Sequence, residues 1–506
     1  MIAVVQLDAL SLTLLERLLE EERLPRLAEL TRRGRWHRLR TPAEHFAGAS
    51  FHTLYTGVEV GNHGLYYAFQ WDAPAQRVRW GEHFPGPVTA WERLDAAGAR
   101  CLILDLYEAR PPATFSGLLA NGVQFANRVA MPRRSVPSAL GRELERRHGR
   151  APTGEEVFGR PSLDILRQTA RATRQAPGRI ARVATDLLGR GEYDCVWIGL
   201  AAGHLAGHWL WNTSQLDVSE RELARREGLD DALASVYERL DESLGTILDA
   251  LPADADLIVV SPLGMEENSS RSDLLPGMLD AVLASGPRAA VNGDGDGGAI
   301  WRLRSRIPTG VRARIADALP DRVAIELTAR LDLRGIDWSR TRAFPLAGDH
   351  HGHVRLNLRG RERDGIVEPG DADALLEELG KGLLTFTDPD GTPAVELVER
   401  TAEVVDGSRV GLLPDLVVRW TTVPSTDLAG VGSPRFGDVV RPGGGSGTGR
   451  SGGHAGDAWA VVVPGSSQVA ATSRPPSVAD VAATVLATQG VAAEGLDGEP
   501  LLVPAR

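Results

Sequence analysis

Six short apolar runs constrain this chain more than any other feature. They cover residues 2–7, 100–106, 195–201, 256–261, 416–420 and 459–463, each five to seven residues long. Near-continuous apolar strands of that length suit a sheet buried on both faces, with helices above and below. Between the first of them lie segments of helical period. In LTLLERLLEEERLPRLAELTRRG the leucines recur on one face and a glycine closes the pattern. Strands alternating with helices predict βαβ units, and hence an α/β fold on a doubly wound, mainly parallel sheet. Ligands of such sheets collect at the carboxyl ends of the strands. Residues 295–400 read differently. Short arginine-rich alternating segments there (AIWRLRSRIP, RVAIELTARLDL, HVRLNLRGRERDGIVEPGD) predict a smaller inserted α+β lobe. The expected organisation is a core in two parts, 1–294 and 401–506, around a lobe at 295–400.

Composition narrows the function classes. Acidic residues number 67 and basic ones 56, a net charge of -11, with 5% aromatics, which argues against a nucleic-acid partner. Lys381 is the sole lysine, so Schiff-base chemistry has one poor candidate. Cys101 and Cys195 both open apolar runs and read as buried thiols, leaving no disulfide framework and no cysteine zinc site. No window reaches the roughly 18 apolar residues of a membrane span, and MIAVVQLDAL lacks the features of a secretory leader. The expectation is a cytoplasmic protein with a small-molecule partner, without membrane or nucleic acid, its oligomeric state open.

Chemistry concentrates on aspartate and histidine. Asp8 stands directly after the first strand, where a carboxylate would lie at the sheet's carboxyl edge; capping the following helix is its plainer role. His204 and His208 follow the strand at 195–201 and are four residues apart, so on a helix they share one face, a spacing suited to a metal but also to ordinary packing. His454 follows RPGGGSGTGRSGG, whose glycines predict a flexible loop, and precedes the last strand.

VVQLDAL, LPRLAELTRRGRWHRLRTP and ASFHTLYTGVEVGNHG, in that order, resemble the alkaline phosphatase superfamily, in particular its type I phosphodiesterase and nucleotide pyrophosphatase branch. Asp8, the segment from Leu24 to Leu30, Thr56, Gly57, His63 and Gly64 match that pattern. DWSRTRAF with VRLNLRGRERDGIVEPGD resembles the connecting lobe of bacterial members, LLPDLVVRW their next strand, and SVADVAATVLATQGV with LDGEPLL their carboxyl terminus. The resemblance implies two divalent cations that clamp a phosphoryl group and activate a threonine or serine nucleophile.

Carried over residue by residue, the pattern is broken. The first aspartate is Asp8, but the nucleophile position falls on Ala47; a shifted register offers Ser50 or Thr41 instead. The Asp-x3-His pair falls on His204 and His208, and the later Asp-His pair on Pro262 and Leu263. The last histidine is His454. The cation that would bind the nucleophile thus keeps one ligand of four, while the other site survives as three imidazoles, a recognised zinc environment that brings the pKa of a bound water to about 7.

The resulting expectation is a hydrolase with one zinc or other divalent ion held by His204, His208 and His454. A metal-bound hydroxide would attack a phosphoester or a related ester or amide-like group. Asp8 would serve as a further ligand, as a general base, or as the acceptor that orients an imidazole. His45, near Ala47, is a candidate acid or base, and His52 a structural residue. Glu266, Glu267 and Asn268 could replace the lost acidic ligands or simply be exposed. Asp349 and His350, in the run ending at His353, and Arg355 with Arg359 are candidates for binding an anionic substrate, solvent-exposed arginines being the alternative. Two other readings stand beside this one: a catalytically dead binding scaffold, and an enzyme redirected to non-phosphate group transfer such as acyl or carbamoyl transfer.

Overall fold

The computed structural model describes residues 1–109, 112, 114–126, 133–153, 159–284, 336–441 and 447–505. Its centre is an eight-stranded sheet in the order Arg35–Leu39, Ala458–Val463, Asp256–Ser261, Ile2–Leu7, Cys195–Leu200, Cys101–Leu104, Leu118–Asn121, Arg134–Val136. The five strands from Asp256–Ser261 to Leu118–Asn121 run parallel, whereas Ala458–Val463 and Arg134–Val136 pair antiparallel with their inner neighbours. The first strand lies between two parallel partners, which is why all six of its residues are buried.

Alternation along that strand divides the core. Ala3, Val5 and Leu7 face one apolar layer with the helices Leu163–Leu188 and Ala232–Leu248. Ile2 and Val4 face the other, with Phe51, Leu54, Trp91, Trp197 and the helix Asp480–Thr488. Helices on both faces make the sheet doubly wound, as predicted. Gly57 and Gly64 end the helices Ala49–Thr56 and Val60–His63 in the left-handed region, at φ 69° and 70°, so part of the matched motif serves chain reversal.

A second, antiparallel sheet has the order Ala343–Leu346, Gly352–Leu356, Leu416–Trp420, Val395–Arg400. The helices Leu275–Leu283 and Ala372–Leu383 pack on it around a separate apolar cluster, giving the smaller α+β lobe. Its sheet reaches past residue 400, because Leu416–Trp420, read from sequence beside the core strands, pairs here instead. The alternating segments at 299–308 and 322–333 lie outside the described residues, as do residues 442–446 of the glycine-rich loop. Among the described residues no helix is long and apolar enough to cross a membrane.

Candidate metal centre

Three imidazoles meet at the carboxyl edge of the central sheet. The helix Ala202–Leu210 begins just beyond the strand Cys195–Leu200 and carries His204 and His208 one turn apart on one face. His454 comes from the strand Gly452–Ala455, which pairs with Gly264–Glu267 so that His454 faces Met265 in register. Glycine allows the close approach: a Cβ on Gly452 would come within 2.1 Å of the Gly207 carbonyl oxygen. The Nε2 atom of His204 lies 3.1 Å from that of His208 and 3.0 Å from that of His454. All three side chains are buried.

The outer nitrogens decide what the inner ones present. His204 Nδ1 donates to Asp8 Oδ2 at 2.8 Å, and His208 Nδ1 donates to the Gly452 carbonyl at 3.0 Å. His454 Nδ1 lies 3.9 Å from Asp349 Oδ2. Burial holds His208 well below the usual imidazole range, and Arg450 and the two neighbouring imidazoles act in the same direction, each opposing a proton on His208. In the neutral tautomer that these acceptors select, His204 and His208 turn bare Nε2 lone pairs toward each other, an arrangement that repels until a cation stands between them. Tetrahedral zinc with nitrogen at 2.0–2.1 Å sets its ligands about 3.3 Å apart, within a few tenths of the spacing here. The donor set therefore fits one zinc-like ion.

Asp8 is held in place by a sharp turn. The next residue, Ala9, adopts φ 52°, a left-handed conformation uncommon for a residue with a side chain. The following helix is capped by Ser11, whose hydroxyl accepts from Leu14, so Asp8 is not the cap. Its carboxylate turns to His204 instead.

No family model matches the sequence, and no curated protein does. Among solved structures, wild-type alkaline phosphatase PafA superposes with a TM-score of 0.54 at 11% identity, over 99% of this chain and 98% of that one. The chain has the alkaline phosphatase fold. Two more distant matches have TM-scores of 0.49. One is phosphonoacetate hydrolase from Sinorhizobium meliloti in complex with phosphonoformate (13% identity; 96% of this chain, 94% of that one). The other is inactive murine ectonucleotide pyrophosphatase/phosphodiesterase 5 in complex with AMP (11% identity; 99% of both chains).

Within this alkaline phosphatase fold, the positions assigned to a second cation keep Asp8 but otherwise carry apolar side chains at Ala47 and Leu263. Ala47, Phe51, Leu263 and Met265 belong to one buried cluster. Phe51 stacks against His204 with ring centroids 6.5 Å apart, and Tyr107 approaches the same ring at 5.1 Å. Ser50 is fully buried, and its hydroxyl meets Thr41 Oγ1 at 3.1 Å; Thr41 in turn donates to the Pro262 carbonyl at 2.7 Å. That seam ties two loops together and gives a shifted-register nucleophile no support.

Several other candidates are engaged elsewhere. Arg355, expected to meet substrate, is buried inside the lobe, where it pairs with Glu362 at 2.8 Å and donates to the carbonyls of Leu413 and Gly411. Its buried partner explains why the alternating pattern misled: a strand face that looks solvated packs against the 411–413 segment. Arg359 is exposed and pairs with Glu368. His45 sits at the junction of core and lobe, its Nε2 3.3 Å from Glu399 Oε2 and its carbonyl accepting from His353 Nε2 at 3.0 Å. His350 is buried and tied to Ser269 at 3.4 Å, while its carbonyl accepts from Ser270 and Trp420. Burial lowers its pKa to about 4, with the charge of Arg271 adding to the effect. His52 pairs with Glu108 at 3.2 Å. Glu267 accepts from Asn212, and Asn268 donates to the Arg450 carbonyl, so these two brace the site without joining the histidines. Glu266 lies opposite Gly453, and burial raises its pKa, with Asp457 adding to the effect.

Proposed function

We propose that this protein is a metal-dependent hydrolase of the alkaline phosphatase superfamily that uses one divalent ion, zinc in the first instance, and no side-chain nucleophile. The observation that carries the reading is the convergence of His204, His208 and His454 through Nε2, with acceptors already placed on the outer nitrogens of His204 and His208. When bound, such an ion supplies Lewis acidity and makes water acidic enough to react near neutral pH. The chain's own residues prepare the site. Asp8 and the Gly452 carbonyl fix the tautomers of His204 and His208. Phe51 and Tyr107 keep water from one side of His204. Asp349 lies beyond His454, on the lobe side. The substrate class is a small phosphoester or a related ester or amide-like compound with an anionic group. Two buried, unlinked thiols and an acidic composition are consistent with the cytoplasm as its compartment.

The test is metal content and turnover of protein purified without a histidine tag. About one equivalent of zinc or another divalent ion is expected, lost in His204→Ala and His454→Ala, together with chelator-sensitive hydrolysis of members of a phosphoester, phosphonate and carboxyl-ester panel. The apolar filling around Ala47 and Leu263 favours one competing reading, a binding scaffold that has abandoned catalysis. A protein that binds no metal and ignores chelators would establish that reading and end ours.

A further inference from the structure

A crevice between core and lobe opens beside the histidines, lined by His208, Asp349, Arg441, Arg450, Gly452 and Gly453 among others. Its two arginines are in opposite states. Arg441 is neutralised: it grips Asp273 at 2.7 and 3.0 Å and donates to the carbonyls of Ser425 and Leu428. Arg450 has no ion pair and no side-chain hydrogen bond to any described residue. Arg271 and Arg419, two further arginines near this junction, are paired with Asp388 and Glu399.

The backbone at Arg450 is nevertheless anchored. Its carbonyl accepts from Asn268 Nδ2 at 2.9 Å. The next residue, Ser451, donates its N–H to the His208 carbonyl and accepts from the Asn268 N–H, both at 2.9 Å. A guanidinium on a fixed base, without an ion pair among the described residues and beside a histidine cluster, is suited to receive an oxyanion.

We infer that Arg450 is the substrate-recognising residue of this site, and that it takes a singly charged oxyanion of a small molecule, a carboxylate or a phosphoryl monoanion. The charge follows from the surroundings and rests on the proposed metal centre. A divalent ion on three neutral imidazoles, with Asp8 and Asp349 beside two of them, is formally neutral until Arg450 adds one positive charge. A dianion would leave excess negative charge in a partly enclosed site.

The experiment compares wild type, Arg450→Ala and Arg450→Lys, each zinc-loaded and in parallel cobalt-loaded. Acetate, dimethyl phosphate and sulfate are titrated in, and binding is read from thermal shift and from the cobalt absorption spectrum. Metal content and circular dichroism control for folding. In wild type, acetate or dimethyl phosphate is expected to bind at least ~10-fold tighter than sulfate, a difference of about 1.4 kcal/mol; which of the two wins separates carboxylate from phosphoryl recognition. Arg450→Ala should lose ~10-fold or more of that affinity with metal content unchanged, and Arg450→Lys should recover part of it. Equal binding by Arg450→Ala and wild type, tighter binding of sulfate, or no binding of any probe to wild type overturns the inference. Metal-free protein that still binds a monoanion through Arg450 would overturn the metal centre while upholding the residue's role.

Discussion

At the scale of single residues, Asp8 carries the sharpest expectation. Its carboxylate receives His204 Nδ1–H at 2.8 Å with both side chains buried, so it selects the tautomer in which Nε2 faces His208 and His454. Asp8→Asn keeps the shape but removes the charge and permits the amide to turn its donor toward the ring. Removing such an outer acceptor typically costs 10- to 100-fold in metal affinity. Competition against a chromogenic chelator should therefore show a loss of about that size with the circular dichroism spectrum unchanged, and wild-type affinity in Asp8→Asn would exclude this role. Asp8 and the three histidines were legible from sequence because each follows or precedes an apolar strand in a recognisable order. Arg450 was not, because a lone arginine in a glycine-rich stretch looks like solvated loop. The pairing of its neighbours, and the lack of an ion pair from Arg450 to any described residue, set it apart only once the fold is known.

Elements determine whether those residues meet. The strand Gly452–Ala455 must lie against the helix Ala202–Leu210 closely enough for the Gly452 carbonyl to reach His208 Nδ1. A Cβ at Gly452 meets backbone at 2.1 Å, which cannot yield, whereas one at Gly207 meets the Met265 side chain at 2.8 Å, which can. Gly452→Ala should thus cost roughly 1–3 kcal/mol and lower metal affinity; Gly207→Ala should be milder on both counts in urea melts and zinc titrations. If Gly207→Ala proves the more harmful, the close approach of strand to helix is not what places His454. The segment 349–356 makes a separate, pH-dependent prediction. Burial lowers the pKa of both His350 and His353 to about 4, against about 6.5 in an unfolded chain. Below pH 6.5 the unfolded chain binds protons that the folded one refuses, so stability is full above that pH and falls as pH drops toward 4. By pH 5 the loss is roughly 2 kcal/mol per ring. His353→Gln should flatten the decline between pH 7 and 5 relative to wild type; an identical slope in the two proteins would show that His353 is protonated in the folded state.

For the whole molecule, the central sheet was legible because burial on both faces writes itself into sequence as unbroken apolar runs. The lobe was less so: Leu416–Trp420 is as apolar as a core strand, and nothing local says which sheet it joins. Long-range contact is also what the metal centre supplies. His204 and His454 are 250 positions apart, on a helix that follows the central strand Cys195–Leu200 and on a strand that leads into Ala458–Val463, three places away in the sheet. An ion bound there joins them only in the folded state, adding about 2.7 kcal/mol of stability when its free concentration is 100 times its dissociation constant. The lobe has its own apolar cluster and no ligand among the three histidines, so the gain should be regional. Hydrogen exchange with and without chelator tests this directly. Protection should fall together at 202–210 and 452–463 and stay nearly constant at 352–356 and 416–420. His454→Ala should resemble the chelated wild type and show no further response to chelator. If chelation loosens only one of the two core segments, or acts equally on His454→Ala, the ion does not bridge them.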